Sequence, residues 1–323
     1  MPTILGLVAA GAVATATTSD AATSNYTLIT EPGQTYTPIY DFVDSATTSV
    51  DMTMYELNDT TFEQDLANDA ARGVTVRVIL DTNRERSNNT PAFDFLQAHG
   101  VHVVWASTTF AATHQKTITV DGTDSAVMTG NLTSQFYATT RDFAVIDSNQ
   151  IDVNAIEKAF NADFAHSAFT PTDGDNLVWS PTDSEDQLLA LINGATKTLQ
   201  VENEEMGLPA VTTALENAAK RGVNVQVTMT NTADEYASEF DALTAAGAHV
   251  ATYTGETPIF VHAKVIVADF GTTAARVFVG SENFSNASLN SNRELGVILK
   301  DSAVLTSTHT TLTSDFDGAT PWS

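Results

Sequence analysis

The 323-residue chain contains no cysteine. That excludes a disulfide framework, a thiol nucleophile and a thiolate metal site. Cations are scarce: 14 Lys and Arg stand against 40 Asp and Glu, a formal net charge of −26. This balance argues against a broad surface that tracks a polyanion, because non-specific nucleic-acid binding rests on phosphate neutralisation by Lys and Arg. A local basic pocket can survive within an acidic surface, so a nuclease is weakened and not excluded. The surface acids are read as serving solubility. Long apolar runs are missing as well. The stretch from Ile4 to Ala14 is too short to span a bilayer. Small and polar residues follow it to about Asn25, the layout of a secretory signal. Residues 1–24 are therefore expected to be a signal peptide or a disordered N-terminus, and the protein to be secreted. With 42% hydrophobic residues, the remainder can bury one large core or two half-size ones.

Against these absences, one pattern occurs twice. H-x-K-x-x-x-x-D is met at His114, Lys116 and Asp121, and again at His262, Lys264 and Asp269. Composition alone would produce about 0.01 such copies by chance. Both lysines lead into β-branched runs, ThrIleThrVal at 117–120 and ValIleValAla at 265–268, which read as buried strands. Side chains two apart on a strand share a face, so each histidine points with its lysine. Two such pairs facing each other would converge two imidazoles and two ammoniums on one point. A phosphodiester suits that pocket: the lysines bind non-bridging oxygens, one histidine attacks phosphorus and the other protonates the leaving oxygen.

The repetition extends well beyond the motif. AlaArgGlyValThrVal (71–76) matches LysArgGlyValAsnVal (220–225), and ArgAspPheAlaValIle (141–146) matches ArgGluLeuGlyValIle (293–298). Gly100 matches Gly247, and Gly130-Asn131 is aligned with Gly280 and Asn283. Strand and helix patterns alternate through both halves. Thr60 with Glu63 suggests a capping box for a helix over 61–72, and Pro91 the start of a helix ending at His99. The stretch 170–176 is rich in turn formers. The expected fold is α/β: two similar repeats, 25–170 and 171–323, related by a pseudo-two-fold axis, each a mixed sheet flanked by helices, with the active site at their interface.

These motifs make the chain resemble the phospholipase D superfamily from about Tyr26 onward. The resemblance implies a metal-free covalent phosphohistidine mechanism, with His114 as nucleophile and His262 as general acid, and needs no cofactor. It implies that Lys116, Lys264, Asn131 and Asn283 line the phosphate site, with Ser281 supplying a hydroxyl. In the first half that hydroxyl falls to Thr133 or is absent. Asp142 and Glu294 would hold the imidazole Nδ1 protons, crosswise between halves, and Asp121 and Asp269 would be structural.

The expected substrate is a phospholipid or another phosphodiester, met at a membrane surface by a monomer that is an internal pseudo-dimer. A superfamily nuclease and a silent phosphate-binding scaffold are the alternatives. An integral-membrane cardiolipin synthase is less favoured for want of a span-length apolar segment. An apolar cavity mouth would favour lipid and a basic groove nucleic acid. Glu56 and Glu205 occupy matching strand ends, read either as part of the pocket rim or as solvated strand-end acids, and Glu202, Glu204 and Glu205 form an acidic cluster with metal-ligand chemistry but no nearby histidine, so that calcium binding is only weakly suggested. The five other histidines are read as structural. Because two lysines supply the charge a metal would, dialysis against a chelator should leave turnover of a soluble phosphodiester within about twofold. A loss beyond about tenfold, restored by one divalent ion, would overturn this.

Overall fold

A computed structural model describes residues 24–172, 174–255 and 258–323. The apolar stretch Ile4 to Ala14, and with it the expected signal or disordered tail, lies outside the described residues. Among the described residues, no helix is long and apolar enough to cross a membrane.

The two halves are built alike. In the first, Ser49–Met54, Thr75–Leu80 and His102–Trp105 pair in parallel, linked by helices Thr60–Ala71 and Arg86–Ala98. On the other side of Ser49–Met54, strands Thr117–Val120, Asp124–Met128, Thr140–Asp147 and Tyr26–Glu31 follow in antiparallel order. The second sheet repeats the scheme. Thr198–Glu202, Asn224–Thr230 and His249–Tyr253 are parallel. Val265–Ala268, Arg276–Gly280, Glu294–Leu299 and Leu177–Ser180 continue antiparallel. Two mixed sheets flanked by helices are thus the architecture, as expected. Gly73 and its counterpart Gly222 leave their helices at φ +96° and +88°, a left-handed exit that a side chain would strain.

Local signals misplaced some boundaries. The cap of the helix Thr60–Ala71 is Asp59, which accepts from Thr61 N and Phe62 N at 3.0 and 3.2 Å. Helix Arg86–Ala98 starts before Pro91 because Asn89 is anchored from afar: it accepts from Leu57 N at 2.9 Å and donates to Tyr55 O at 2.8 Å. The outer strands Tyr26–Glu31 and Leu177–Ser180 escaped prediction, since their partners are remote in sequence.

Both motif aspartates close loops. Asp121 accepts from the backbone N–H of Thr47, Thr48 and Ser49 at 3.0, 2.7 and 2.9 Å. Asp269 does the same for Thr196, Lys197 and Thr198 at 2.9, 2.6 and 3.2 Å. Each carboxylate satisfies the donors that open the central strand of its sheet.

The halves share a core in which Val127, Phe143 and Val145 pack with Trp179, Val265 and Val277. They also exchange backbone. Phe260–Val261 of the second half pairs in parallel with Thr140 and Arg141 of the first, and Thr113 of the first half forms a parallel bridge with Arg293 of the second. Two guanidinium pairs are crosswise as well: Arg141 Nε lies 2.5 Å from Asp315, and Arg293 Nε 2.9 Å from Asp163.

Several carboxyls are buried without a hydrogen-bond partner, among them Glu31, Glu202 and both oxygens of Glu282. Burial, then Asp142, pushes Glu31 up to about 7, and burial pushes Glu157 up to about 8 and Glu282 well above the usual carboxylate range. A carboxyl raised in the folded state holds its proton there, so its contribution is full below the unfolded value near 4 and is lost as pH rises through the folded value. Burial moves Lys116 the opposite way, down to about 7, but the carboxyls outnumber it. The denaturation midpoint is therefore expected to fall between pH 5.5 and 8.5, and Glu282→Gln to shrink that fall. A flat or rising midpoint would contradict this.

Candidate active site

The backbone exchange dictates the site. His114 N and Gln115 N both donate to Arg293 O at 2.9 Å, and His262 N donates to Arg141 O at 3.3 Å. Each motif histidine is thereby set beside the residue after the other half's arginine. His114 Nδ1 lies 2.8 Å from Glu294 Oε2, and His262 Nδ1 2.9 Å from Asp142 Oδ1. The acids are held in turn. Glu294 Oε1 accepts from Ser288 Oγ at 2.5 Å and Asn292 Nδ2 at 2.9 Å, and Asp142 accepts from Thr129 Oγ1 at 2.6 Å. A carboxylate on Nδ1 fixes the proton there and leaves Nε2 without that partner.

Both lysines are fully buried. Lys116 Nζ donates to His114 O at 2.6 Å, and Lys264 Nζ to His262 O. Burial, then Lys264, pushes Lys116 down to about 7. Burial also pushes the His114 imidazole below its ordinary value; Glu294 opposes this and both lysines add to it. Burial works against ionisation of Glu294, yet His114 and Lys116 hold it below the usual carboxylate range.

Strand register revises the alignment of the halves. Met128 pairs with Ala144, and Gly280 with Gly296. Superposing these pairs puts Thr129 on Ser281, Gly130 on Glu282, Asn131 on Asn283 and Asp142 on Glu294. The first-half counterpart of Ser281 is thus Thr129, and Gly130 corresponds to Glu282, not Gly280. Ser281 stands behind the site: its hydroxyl accepts from Leu295 N at 3.2 Å. Thr129 accepts likewise from Phe143 N at 2.9 Å. Thr133 lines the cavity instead, from the short strand Leu132–Thr133. A Cβ on Gly130 would come within 2.8 Å of the Asp142 carboxyl, so glycine is required there.

The halves differ most at the ends of their central strands. Tyr55 packs edge-on against the His114 ring, with centroids 4.5 Å apart, and lies 5.0 Å from Lys116 Nζ. The second half places Glu204 there. Its Oε2 lies 3.2 Å from Lys264 Nζ, 3.4 Å from His262 Nε2 and 3.4 Å from Asn283 Nδ2. From the sequence, Glu204 is one member of an acidic cluster with metal-ligand chemistry and not a partner of the motif residues. Only its equivalence to Tyr55, one residue before the matching Glu56 and Glu205, could have drawn attention to it. Its neighbour Glu202 is fully buried.

The site opens into a cavity of about 330 Å³ walled by Phe136, Tyr137 and Phe260, with Asn131, Thr133 and His262. Glu56, Asp142 and Glu204 supply its charges, and among the described residues no Lys or Arg lines it. Phe136 remains 42% exposed. The remaining histidines lie elsewhere: His99 and His166 hydrogen-bond the carbonyls of Phe95 and Trp105, and His309 contacts Gln200 Oε1.

Two like lobes that pair each other's histidines and acids define a protein of the phospholipase D superfamily. The family described as "Cardiolipin synthase, PLD-like domain" matches residues 39–164 and 188–317, and the chain belongs to it. A 112-residue stretch is 37% identical to cardiolipin synthase A of Pseudomonas syringae pv. syringae (strain B728a), covering 33% of this chain and 22% of that protein. The match thus spans about a fifth of the relative's length. Phosphatidylserine synthase of Haemophilus influenzae Rd KW20 superposes with a TM-score of 0.70 at 10% identity, over 92% of this chain and 87% of that one. Polyphosphate kinase of Porphyromonas gingivalis gives 0.70 at 15% identity, over 90% and 50%. At such identities the likeness is one of fold.

The crosswise acids yield a direct test. Glu294→Gln keeps the shape of the side chain but loses the charge that orients His114. Turnover of a chromogenic phosphodiester should fall about 100-fold while the protein keeps its native circular-dichroism spectrum at the assay temperature. Retention of full turnover would show that Glu294 does not position the imidazole.

Proposed function

We propose that the protein is a phosphodiesterase that transfers or hydrolyses phosphatidyl groups of phospholipids through a phosphohistidine. One observation carries this: the His–acid pairs form crosswise between the halves, the two motif lysines lie close enough for Lys264 to depress Lys116, and His262 lines a cavity whose walls are aromatic and not basic. A basic groove, which a nucleic-acid backbone would need, is absent from the described cavity lining. The partly exposed Phe136 at the mouth suits contact with an acyl chain or a bilayer surface. The similarity to cardiolipin synthase A favours an alcohol over water as acceptor. Action as a monomer outside the cytoplasm is part of the proposal and rests on sequence alone.

In this scheme His114 Nε2 attacks phosphorus. The P–O bond to the leaving alcohol breaks, and His262 Nε2 gives that oxygen its proton. The neutral His262 then takes a proton from water or a second alcohol, whose oxygen attacks phosphorus and breaks the P–N bond to His114. The depressed His114 keeps its attacking nitrogen free of a proton at neutral pH. Lys116, Lys264, Asn131 and Asn283 surround the phosphoryl oxygens, and Asn131 Oδ1 is buried without a protein partner.

A panel of phosphatidylglycerol, phosphatidylcholine, a chromogenic phosphodiester and single-stranded DNA tests the substrate class, with free headgroup and transferred product measured. The lipids and the chromogenic diester should be consumed and the DNA spared; DNA cleavage without lipid turnover would replace this reading by a nuclease. In the same assay His114→Ala should abolish turnover, and His262→Asn should accumulate a covalent phosphoryl adduct visible by intact mass. An adduct formed on His114→Ala but never on His262→Asn would reverse the two roles.

A further inference from the structure

Glu204 places a carboxylate where a phosphoryl oxygen should go. Its Oε2 touches three donors at once: Lys264 Nζ, His262 Nε2 and Asn283 Nδ2, at 3.2, 3.4 and 3.4 Å. Three convergent donors around one anionic oxygen describe a phosphate seat. The equivalent place in the first half holds Tyr55, which cannot fill such a seat. Burial opposes ionisation of Glu204, yet Lys264 and His262 hold it well below the usual carboxylate range, so it is an anion throughout the neutral region. Asp142 hydrogen-bonds His262 Nδ1, and Glu204 lies beside Nε2.

Room exists for Glu204 to leave. A second cavity of about 350 Å³ adjoins the first, lined by Glu205, Asn231, Glu235 and Tyr236, and the two cavities share only Glu204 and Phe260 among their lining residues. Displaced toward it, Glu204 would stand beside two further acids, which drive it back when the seat empties.

We infer that Glu204 is an internal anion that occupies the phosphoryl seat of the resting enzyme, and that a singly charged phosphodiester binds by exchanging one negative charge for another. The inference rests on the phosphodiesterase reading. It makes Glu204 a specificity residue: a doubly charged phosphate monoester, or inorganic phosphate, brings one charge more than the exchange returns and is discriminated against.

The test is calorimetric binding of inorganic phosphate at pH 7.5 to the full chain, beside KM and kcat for a chromogenic phosphodiester and the matching monoester. Glu204→Gln should bind phosphate at least about tenfold more tightly than wild type, lower the KM for the diester, and narrow the preference for diester over monoester. Asp94→Asn, on the exposed side of helix Arg86–Ala98 and lining neither cavity, should leave phosphate affinity within about twofold. Glu204→Tyr, which imports the first half's residue, repeats the test if Glu204→Gln fails to fold. Unchanged or weaker phosphate binding in the folded variant would overturn the inference and leave Glu204 a mere support for Lys264. Because binding is read without turnover, tighter phosphate binding in a protein that cleaves no diester would sink the enzymatic reading while sparing the seat.

Discussion

The site depends on one constraint: each half completes its backbone hydrogen bonding on the other. The segment before His114 lies along Arg293, and the segment before His262 along Arg141. Once those bonds form, a crosswise His–acid pair follows from the covalent spacing between each arginine and the acid after it. Buried arginines then tie each exchange to a helix of the opposite half through Asp163 and Asp315. Neither half holds both the imidazole Nδ1 and the acid that it meets. Shared apolar packing in the interface keeps these polar contacts away from water, where such pairs are worth more and tolerate less error.

Within this symmetric frame the two halves have taken different parts. His114 sits between Glu294, an aromatic edge and two ammoniums, an environment that disfavours a second proton. His262 has a carboxylate at each nitrogen. The two rings thus sit in unlike electrostatic surroundings, and a single substitution, Tyr55 against Glu204, accounts for much of the difference. Gly130 and Glu282 mark a second departure. The first half needs a residue without a side chain beside Asp142, while the second fills the space with an unpaired carboxyl.

Much of this was legible in the sequence. The two motifs, the β-branched runs and the paired glycines depend on local chemistry that repeats in register. What was not legible depends on remote partners. Strands Tyr26–Glu31 and Leu177–Ser180 are fixed by distant neighbours and carry little pattern of their own. The start of helix Arg86–Ala98 is set by what Asn89 meets across the fold. Thr129 could not be matched to Ser281 until strand register showed that the hairpin loop following Asp269 is longer than that following Asp121. The acids at 202–205 misled most: a run of negative charge ordinarily faces solvent, but a strand alternates its faces, and these residues end on the interface.

The burial of Lys116 and Lys264 has an electrostatic consequence. Only six lysines serve the whole chain, and two of them are buried at the site, so an exterior of net negative charge encloses a small cationic interior. Repulsion acts over a Debye length of about 8 Å at physiological ionic strength and about 3 Å in molar salt, whereas the seat operates at contact distance. Dissolved salt therefore thins the outer barrier and barely touches the inner trap. For this protein, concentrated electrolyte is a condition that lets an anionic body approach a cationic floor from which the net charge would otherwise hold it away.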